Sequence, residues 1–246
     1  MDLNYFNKVR ILDGGMGQEL LSNGLISKGT LWSSTALLEE KYHKLVVDTH
    51  LSFINAGADV IITNNFSSRR QRLKQNNIEN KFNYLNKKAG ELAVRARDTS
   101  KKNILIAGGL PGQNDTYVPD ERQINFIKKD FYDQASIIKS YVDFFYLDVV
   151  SSAREVEAAL DVTEKLNLPV LVGLHIKKNG MLPSGESVTE IVKKYKNNNW
   201  LGIVLACVSM DTVNYSINEI RHLNLPFGFK VNLWAVEEPL PVHKFN

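Results

Sequence analysis

Arg10-Ile-Leu-Asp-Gly-Gly-Met-Gly-Gln-Glu-Leu20 begins apolar, passes through three glycines and ends in helix-forming residues. This pattern predicts a strand over residues 9–13 that opens into a tight glycine turn. Asp13 is the first polar residue after the apolar pair, so it lies where the predicted strand ends. Gly14 and Gly15 would let backbone N–H groups approach a small ligand closely, although glycine after a strand is also ordinary turn chemistry.

The rest of the chain alternates apolar runs with amphipathic segments. The runs predict six further strands, at residues 58–65, 103–110, 143–148, 169–175, 201–207 and 227–232. The amphipathic segments predict helices at residues 35–56, 78–99, 121–141, 152–166, 187–198 and 211–223. Apolar strands joined by such helices are typical of a parallel sheet covered by helices. Residues 1–246 therefore predict a single α/β domain, a (β/α)8 TIM barrel whose last unit is missing or degraded. An open doubly wound sheet is the alternative.

Composition argues against several classes of function. The net charge is only +3 over 246 residues, and lysines are scattered among acids, so nucleic-acid binding has little support. The basic cluster at residues 67–74 is typical of a solvated helix start. No segment approaches the roughly 18 apolar residues of a membrane span, and no secretory signal is present, so we expect a cytoplasmic protein without a membrane partner. The single cysteine, Cys207, excludes an internal disulfide framework.

Polar residues follow several of the apolar runs directly, and the carboxyl ends of barrel strands carry the chemistry in this fold. These positions include Asp13, Asn64, Asp148, His175, Cys207 and Asn232. Carboxylate, imidazole and thiolate are all zinc ligands, so Asp148, His175 and Cys207 could form a mixed site. Ordinary hydrogen bonds and a core cysteine are the alternative. Lys230 could form a Schiff base, as in an aldolase-like lyase, but is expected to point outward between helices.

Five segments match sequence motifs in the same order along the chain. Residues 13–20 resemble DGGMGTEL, residues 56–66 resemble AGAD-x-I-x-TNTF, residues 107–112 resemble AGS-x-GP, residues 147–159 resemble ET-x-P-x-x-x-E-A, and residues 202–207 resemble G-x-N-C. These are motifs of the homocysteine S-methyltransferases, and the first two are quite specific. The resemblance covers essentially the whole chain.

The resemblance implies methyl transfer from an onium-type or folate donor to homocysteine, giving methionine, with both as small-molecule partners. It also implies zinc held by three cysteines, of which Cys207 is one, with the other two in a Gly-Gly-Cys-Cys segment. Coordination would deprotonate the substrate thiol. The substrate contacts implied are Asp13, Gly14, Gly15, Asn64 and, for the ammonium group, Asp148. Donor contacts are expected in variable loops such as residues 111–119.

The sequence also departs from the family pattern. Gln18 replaces Thr, Asp148 and Val149 replace Glu-Thr, Ala206 replaces Asn, and the Gly-Gly-Cys-Cys segment is absent. Three explanations remain open. The sequence is part of a longer protein, or the metal site is rebuilt around Cys207 and His175, or the metal and the activity are lost. In the last case the barrel would bind a small amino acid or a partner chain. A gap at a missing strand would favour oligomerisation.

Overall fold

The computed structural model describes residues 1–197 and 199–232. They contain the strands β1 (Val60–Ile62), β2 (Leu105–Pro111), β3 (Phe144–Val150), β4 (Val170–Leu174), β5 (Trp200–Val208) and β6 (Phe227–Val231). The α-helices in the same residues are α1 (Met16–Ser22), α2 (Thr35–Leu38), α3 (His43–Asn55), α4 (Arg70–Gln75), α5 (Phe82–Ser100), α6 (Ile124–Ile138), α7 (Ala153–Lys165), α8 (Val188–Tyr195) and α9 (Met210–Ile220). Of the helices in these ranges, none has both the length and the apolar character that crossing a membrane requires.

The six strands form one sheet in the order in which they occur along the chain. β1 pairs in parallel with β2, β4 with β5, and β5 with β6. At least one helix separates each strand from the next. A doubly wound sheet reverses its strand order at a switch point, and this sheet shows no reversal. The structure therefore confirms an α/β fold with a parallel sheet, whereas closure into an eight-stranded barrel stays a prediction.

Two boundary predictions are wrong. The predicted first strand, residues 9–13, is reduced to an isolated bridge between Leu12 and Val60. Its flanking side chain Ile11 is exposed, so little apolar burial supports a longer pairing there. The predicted helix 35–56 is interrupted, because Glu39 has an extended backbone between α2 and α3. The Glu39 carboxylate forms ion pairs with two lysine side chains at this interruption.

The chain divides into two compact units, which we call the leading unit and the trailing unit. The leading unit comprises residues 8–109 and 133–145. The trailing unit comprises residues 1–7 and 110–132 together with the described part of 146–246. In the leading unit α1, α3 and α5 contribute a core of buried aliphatic side chains, including Leu20, Val46, Leu85 and, from β1, Ile61. The single domain over residues 1–246 stays a prediction.

Three aspartates secure strand backbones in the leading unit. Each carboxylate accepts a backbone N–H at 2.8 Å, in the pairs Asp59–Ile11, Asp13–Ile62 and Asp143–Ile106. A hydrogen bond to a charged acceptor contributes about 1.5–3 kcal/mol, which is more than a neutral one contributes. Asp13 and Asp143 therefore supply acceptors for N–H groups of β1 and β2, and Asp59 supplies one beside the isolated bridge at Leu12.

We expect Asp143→Ala to lower the free energy of unfolding by about 1–2 kcal/mol, because the Ile106 N–H loses a charged acceptor. The matched control is Asp48→Ala, which removes an exposed ion pair with Lys44 worth about 0.3–0.5 kcal/mol. Urea unfolding followed by circular dichroism measures both variants. Equal shifts in the two variants would contradict this role of Asp143.

Candidate functional site

The predicted polar residues after β1 form a buried amide network in the leading unit. Asn65 donates through Nδ2 to Asn86 Oδ1 at 3.1 Å and to the Gly109 carbonyl at 3.0 Å. Gln134 donates to the same Asn86 oxygen at 2.9 Å. Asn64, predicted as a substrate contact, is buried and donates to the Ser33 carbonyl at 3.2 Å. The structure therefore gives the Asn64 amide N–H group a structural partner, and its role in substrate binding stays a prediction.

Asp13 and the glycine turn also have structural roles. Asp13 is 5% exposed, and its Oδ2 atom is occupied by the Ile62 N–H. A Cβ atom at Gly14 would lie 2.8 Å from the Phe53 ring, so close packing requires glycine there. A Cβ atom at Gly15 would meet nothing closer than 4.0 Å. Packing therefore explains Gly14 but not Gly15, and the predicted substrate contacts at Asp13, Gly14 and Gly15 remain predictions.

The trailing unit brings together residues from the ends of four strands and one loop. We call Tyr117, Asp148, His175, Cys207 and Lys230 the strand-end cluster. The Tyr117 ring lies 4.6 Å from the His175 ring, measured between centroids. The Tyr117 hydroxyl hydrogen-bonds the Cys207 thiol, and the charges of Asp148 and Lys230 both act on that thiol. Sequence analysis missed Tyr117, because no local pattern distinguishes one loop tyrosine from the eight others in the chain.

A β-bulge directs the Cys207 side chain. In the pairing of β5 with β6, Ala206 is opposite Lys230 and Val208 is opposite Val231, so Cys207 is an extra residue. Its φ of 55° is uncommon for a residue other than glycine. A bulge of this kind re-aims a side chain that regular alternation would place on the other face. Local backbone distortion thus orients the side chain of Cys207 at the end of β5, where the sequence predicted a polar strand end.

Similar backbone strain occurs elsewhere around the strand-end cluster. Val149, directly after Asp148, and Tyr117 both have a φ of 67°. A β-branched residue such as valine rarely adopts this conformation. Strained backbone costs about 1–3 kcal/mol per residue and tends to occur at functional sites. Three such residues in or beside one cluster point to a functional site there.

Burial sets the protonation of the cluster. Burial and, to a lesser extent, the negative charge of Asp148 raise the pKa of the Cys207 thiol to about 11, although Lys230 and Tyr117 oppose the shift. Burial lowers the pKa of His175 to about 4, so its imidazole is neutral at pH 7. Its Nδ1 atom lies 3.3 Å from the Ala206 carbonyl. At neutral pH the cluster therefore holds a protonated thiol and a neutral imidazole.

The described residues do not by themselves complete the predicted mixed zinc site, which stays a prediction. A thiol and a neutral imidazole are ligand types that zinc accepts. However, the described ranges 1–197 and 199–232 contain no group of three His, Cys, Asp or Glu side chains placed to hold a metal ion. Asp148, His175 and Cys207 lie in one cluster, but they do not converge as a ligand set. The described residues by themselves do not fit zinc.

The position of Lys230 also differs from the expectation. Its neighbours Phe227 and Phe229 in β6 are exposed, and alternation places Lys230 on the opposite face of the strand. Its Nζ atom lies 5.4 Å from the centroid of the fully buried Tyr146 ring of β3. Lys230 therefore points over the buried face of the sheet and not outward between helices.

Glu155 is a buried acid that was not among the residues predicted from the sequence. It is 1% exposed, and its carboxylate accepts hydrogen bonds from the Ser151 N–H at 3.1 Å and the Ser152 hydroxyl at 2.8 Å. Ser152 caps the N-terminus of α7, and Ser-x-x-Glu is a readable capping signature. Burial raises the pKa of Glu155 to about 7. The segment after β3 is therefore secured by a carboxyl group that is partly protonated at neutral pH.

The comparisons with known proteins agree on one family. The family model for homocysteine S-methyltransferase matches residues 10–239. The chain is 23% identical to homocysteine S-methyltransferase 2 of Saccharomyces cerevisiae, with 89% of this chain and 74% of that protein covered. It is 26% identical to homocysteine S-methyltransferase 2 of Zea mays, with 73% of this chain and 60% of that protein covered. The match thus spans between three fifths and three quarters of these relatives.

The fold agrees with the same family. The homocysteine methyltransferase MmuM of Escherichia coli, solved in a metallated form, superposes with a TM-score of 0.79 at 18% identity. The superposition covers 93% of this chain and 86% of MmuM. The chain belongs to the homocysteine S-methyltransferase family. Membership places it among methyltransferase enzymes and confirms the resemblance predicted from the motifs.

We expect Cys207 to react slowly with iodoacetamide at pH 7, because a pKa of about 11 leaves little thiolate. Asp148→Asn should accelerate alkylation by removing the neighbouring negative charge. Cys207 is the single cysteine in the chain, so intact mass reports it alone. The same chain unfolded in urea provides the rate of an unperturbed thiol. A folded rate equal to the unfolded rate would contradict the raised pKa.

Glu155→Gln should remove a pH dependence of stability. The folded pKa of about 7 lies above the ordinary 4.5, so the folded state binds the extra proton and wild-type stability falls as pH rises from 4.5 to 7. The stability of Glu155→Gln relative to wild type should rise by about 2–3 kcal/mol across this window. Urea unfolding at several pH values measures it, with the exposed Glu164→Gln as the control. A pH-independent difference for Glu155→Gln would show that its pKa is ordinary.

Proposed function

We propose that this chain binds homocysteine and transfers a methyl group to its sulfur, giving methionine. Membership of a methyltransferase family supports the reaction class. The main structural support for the site is the strand-end cluster. It contains the Asp148 carboxylate, the His175 imidazole and the Cys207 thiol near the C-terminal ends of β3, β4 and β5. In parallel α/β folds of this kind, ligands bind at the carboxyl ends of strands.

In this proposal the Asp148 carboxylate binds the substrate ammonium group. Asp148 is 8% exposed and lies near the C-terminal end of β3, so its charge is only weakly screened by water. Its electrostatic effect on the Cys207 thiol shows that the two groups are close enough to interact. An amino acid held by Asp148 would place its side-chain sulfur beside Cys207 and Tyr117. Asp13, Gly14, Gly15 and Asn64 are proposed as further substrate contacts on the resemblance alone.

The reaction that we propose is a displacement at a methyl carbon. The acceptor sulfur releases its proton to water and forms a bond to the methyl carbon, and the bond from that carbon to the donor breaks. An onium donor leaves as a neutral thioether or amine and takes the bonding electrons with it. A folate donor is the other class that the family resemblance allows. The structure supports the binding and orientation of the acceptor, and no residue of the cluster is assigned as the base.

Zinc enters the proposal as an expectation from the family. Cys207 is a suitable ligand in type, and MmuM is a family structure solved in a metallated form. The described residues lack a three-ligand group, so any site that includes Cys207 would need ligands beyond them. We derive no reaction step through zinc.

A second candidate function is binding of a small amino acid without catalysis. The half-buried, protonated thiol favours it, and so does the lack of a three-ligand group among the described residues, because neither provides an activated sulfur nucleophile. The two candidates differ in one readout. Both bind homocysteine, whereas only the enzyme converts it to methionine.

We expect the full chain to bind homocysteine and to form methionine when S-methylmethionine is supplied. Asp148→Asn should weaken homocysteine binding about 10–100-fold, because a charge-assisted contact to the ammonium is lost. Calorimetry measures binding and mass spectrometry measures methionine, with zinc per chain determined on the same preparation. The control is Asp161→Asn on the exposed face of α7. Binding without methionine would favour the non-catalytic candidate, and no binding would overturn both.

A further inference from the structure

The Lys230 side chain of β6 extends across the sheet as far as Tyr146 of β3. It lies in β6, whereas Tyr146 lies in β3, three strands away in the order of the sheet. On a flat sheet such strands would be roughly 14 Å apart. The Lys230 Nζ atom is nevertheless 5.4 Å from the centroid of the Tyr146 ring. The Lys230 and Tyr146 side chains therefore meet over the face that these strands share, and the lysine ammonium lies on that face.

Two glycines near Lys230 differ in the space around them. Gly173 of β4 is closely packed, since a Cβ atom there would lie 2.2 Å from the Leu147 carbonyl oxygen and 2.8 Å from the Tyr146 ring. Gly228 lies two residues before Lys230 and so on the same face of β6, and a Cβ atom there would meet nothing closer than 3.9 Å. The absence of a side chain at Gly228 therefore leaves this face of β6 uncrowded next to Lys230. The face combines a cation and an aromatic ring.

The charges around the Cys207 thiol have opposite signs. Asp148 at the end of β3 and Lys230 of β6 shift the thiol pKa in opposite directions, so both charges lie within electrostatic reach of the sulfur. The bulge at Cys207 begins directly after Ala206, the register partner of Lys230. The cluster thus presents an anion, a thiol and a cation.

The two charges are complementary to the ammonium and the carboxylate of an α-amino acid. We infer that Lys230 is a specificity-determining residue that binds the carboxylate of the amino-acid substrate, opposite the contact of Asp148 with the ammonium. This inference rests on the proposed function and assigns the substrate class, a zwitterionic amino acid. A neutral thiol would satisfy neither charge. An ammonium beside a buried face attracts a carboxylate more strongly than one in open water does.

The arrangement favours carboxylate binding over Schiff-base chemistry for Lys230. Schiff-base formation joins a neutral amine to a carbonyl carbon and releases water, so the lysine must first lose its proton. The Lys230 Nζ atom lies over the Tyr146 ring, and the face of an aromatic ring attracts a cation. A protonated lysine binds a carboxylate and does not attack a carbonyl group.

The test compares three ligands in calorimetry with the full chain. Homocysteine carries both charges, homocysteamine lacks the carboxylate, and mercaptobutyrate lacks the ammonium. We expect Lys230→Met to weaken binding of homocysteine and mercaptobutyrate about 10–100-fold and to leave homocysteamine unchanged. Asp148→Asn should show the reciprocal pattern, weakening homocysteine and homocysteamine. Lys230→Arg should restore part of the carboxylate-dependent affinity.

The matched control is Lys193→Met, an exposed lysine of α8, which should change none of the three affinities. Urea unfolding of Lys230→Met checks that the fold is retained. Equal weakening of all three ligands, or of none, would overturn the assignment of Lys230 while leaving the proposed function intact. Failure of the wild-type chain to bind homocysteine would overturn the proposed function and this inference with it.

Discussion

The β-bulge at Cys207 is the feature on which the strand-end cluster depends. Regular pairing of β5 with β6 would alternate side chains strictly and place Cys207 on the face opposite Ala206. The extra residue breaks this alternation and brings the thiol within reach of Tyr117, Asp148 and Lys230. Backbone strain at one position thereby determines which groups form the site. The favourable pairing of the two strands on either side of the bulge offsets its cost.

Burial is the second constraint, and it acts on each titratable group according to its charge. Removing water disfavours the charged form, so the pKa of an acid rises and the pKa of a base falls. Cys207 and Glu155 follow the first direction and His175 follows the second. Without ligand, the cluster consequently contains a neutral thiol and a neutral imidazole. The charges of Asp148 and Lys230 then dominate the local field.

Sequence analysis predicted the order of the elements well, because hydrophobic periodicity reports burial directly. It failed where long-range contacts override local preference. Residues 9–13 lack the apolar burial that would extend their pairing, and the helix over residues 35–56 is interrupted at Glu39, which binds lysines before and after it. Strand-end positions identified Asp148, His175 and Cys207 as members of one cluster. They could not reveal Tyr117, whose role depends on how its loop folds back.

The sequence by itself determined the family, the alternation of strands and helices, and the identity of the groups at the strand ends. The reason is that motif spacing and apolar periodicity are local properties of the chain. Only the tertiary structure decided how those groups are oriented. Within the described residues it gives Asp148, His175 and Cys207 no arrangement that could hold a metal ion, and it turned Lys230 onto the buried face. Orientation depends on strand pairing and on the bulge at Cys207, which arise from contacts between residues far apart in the chain.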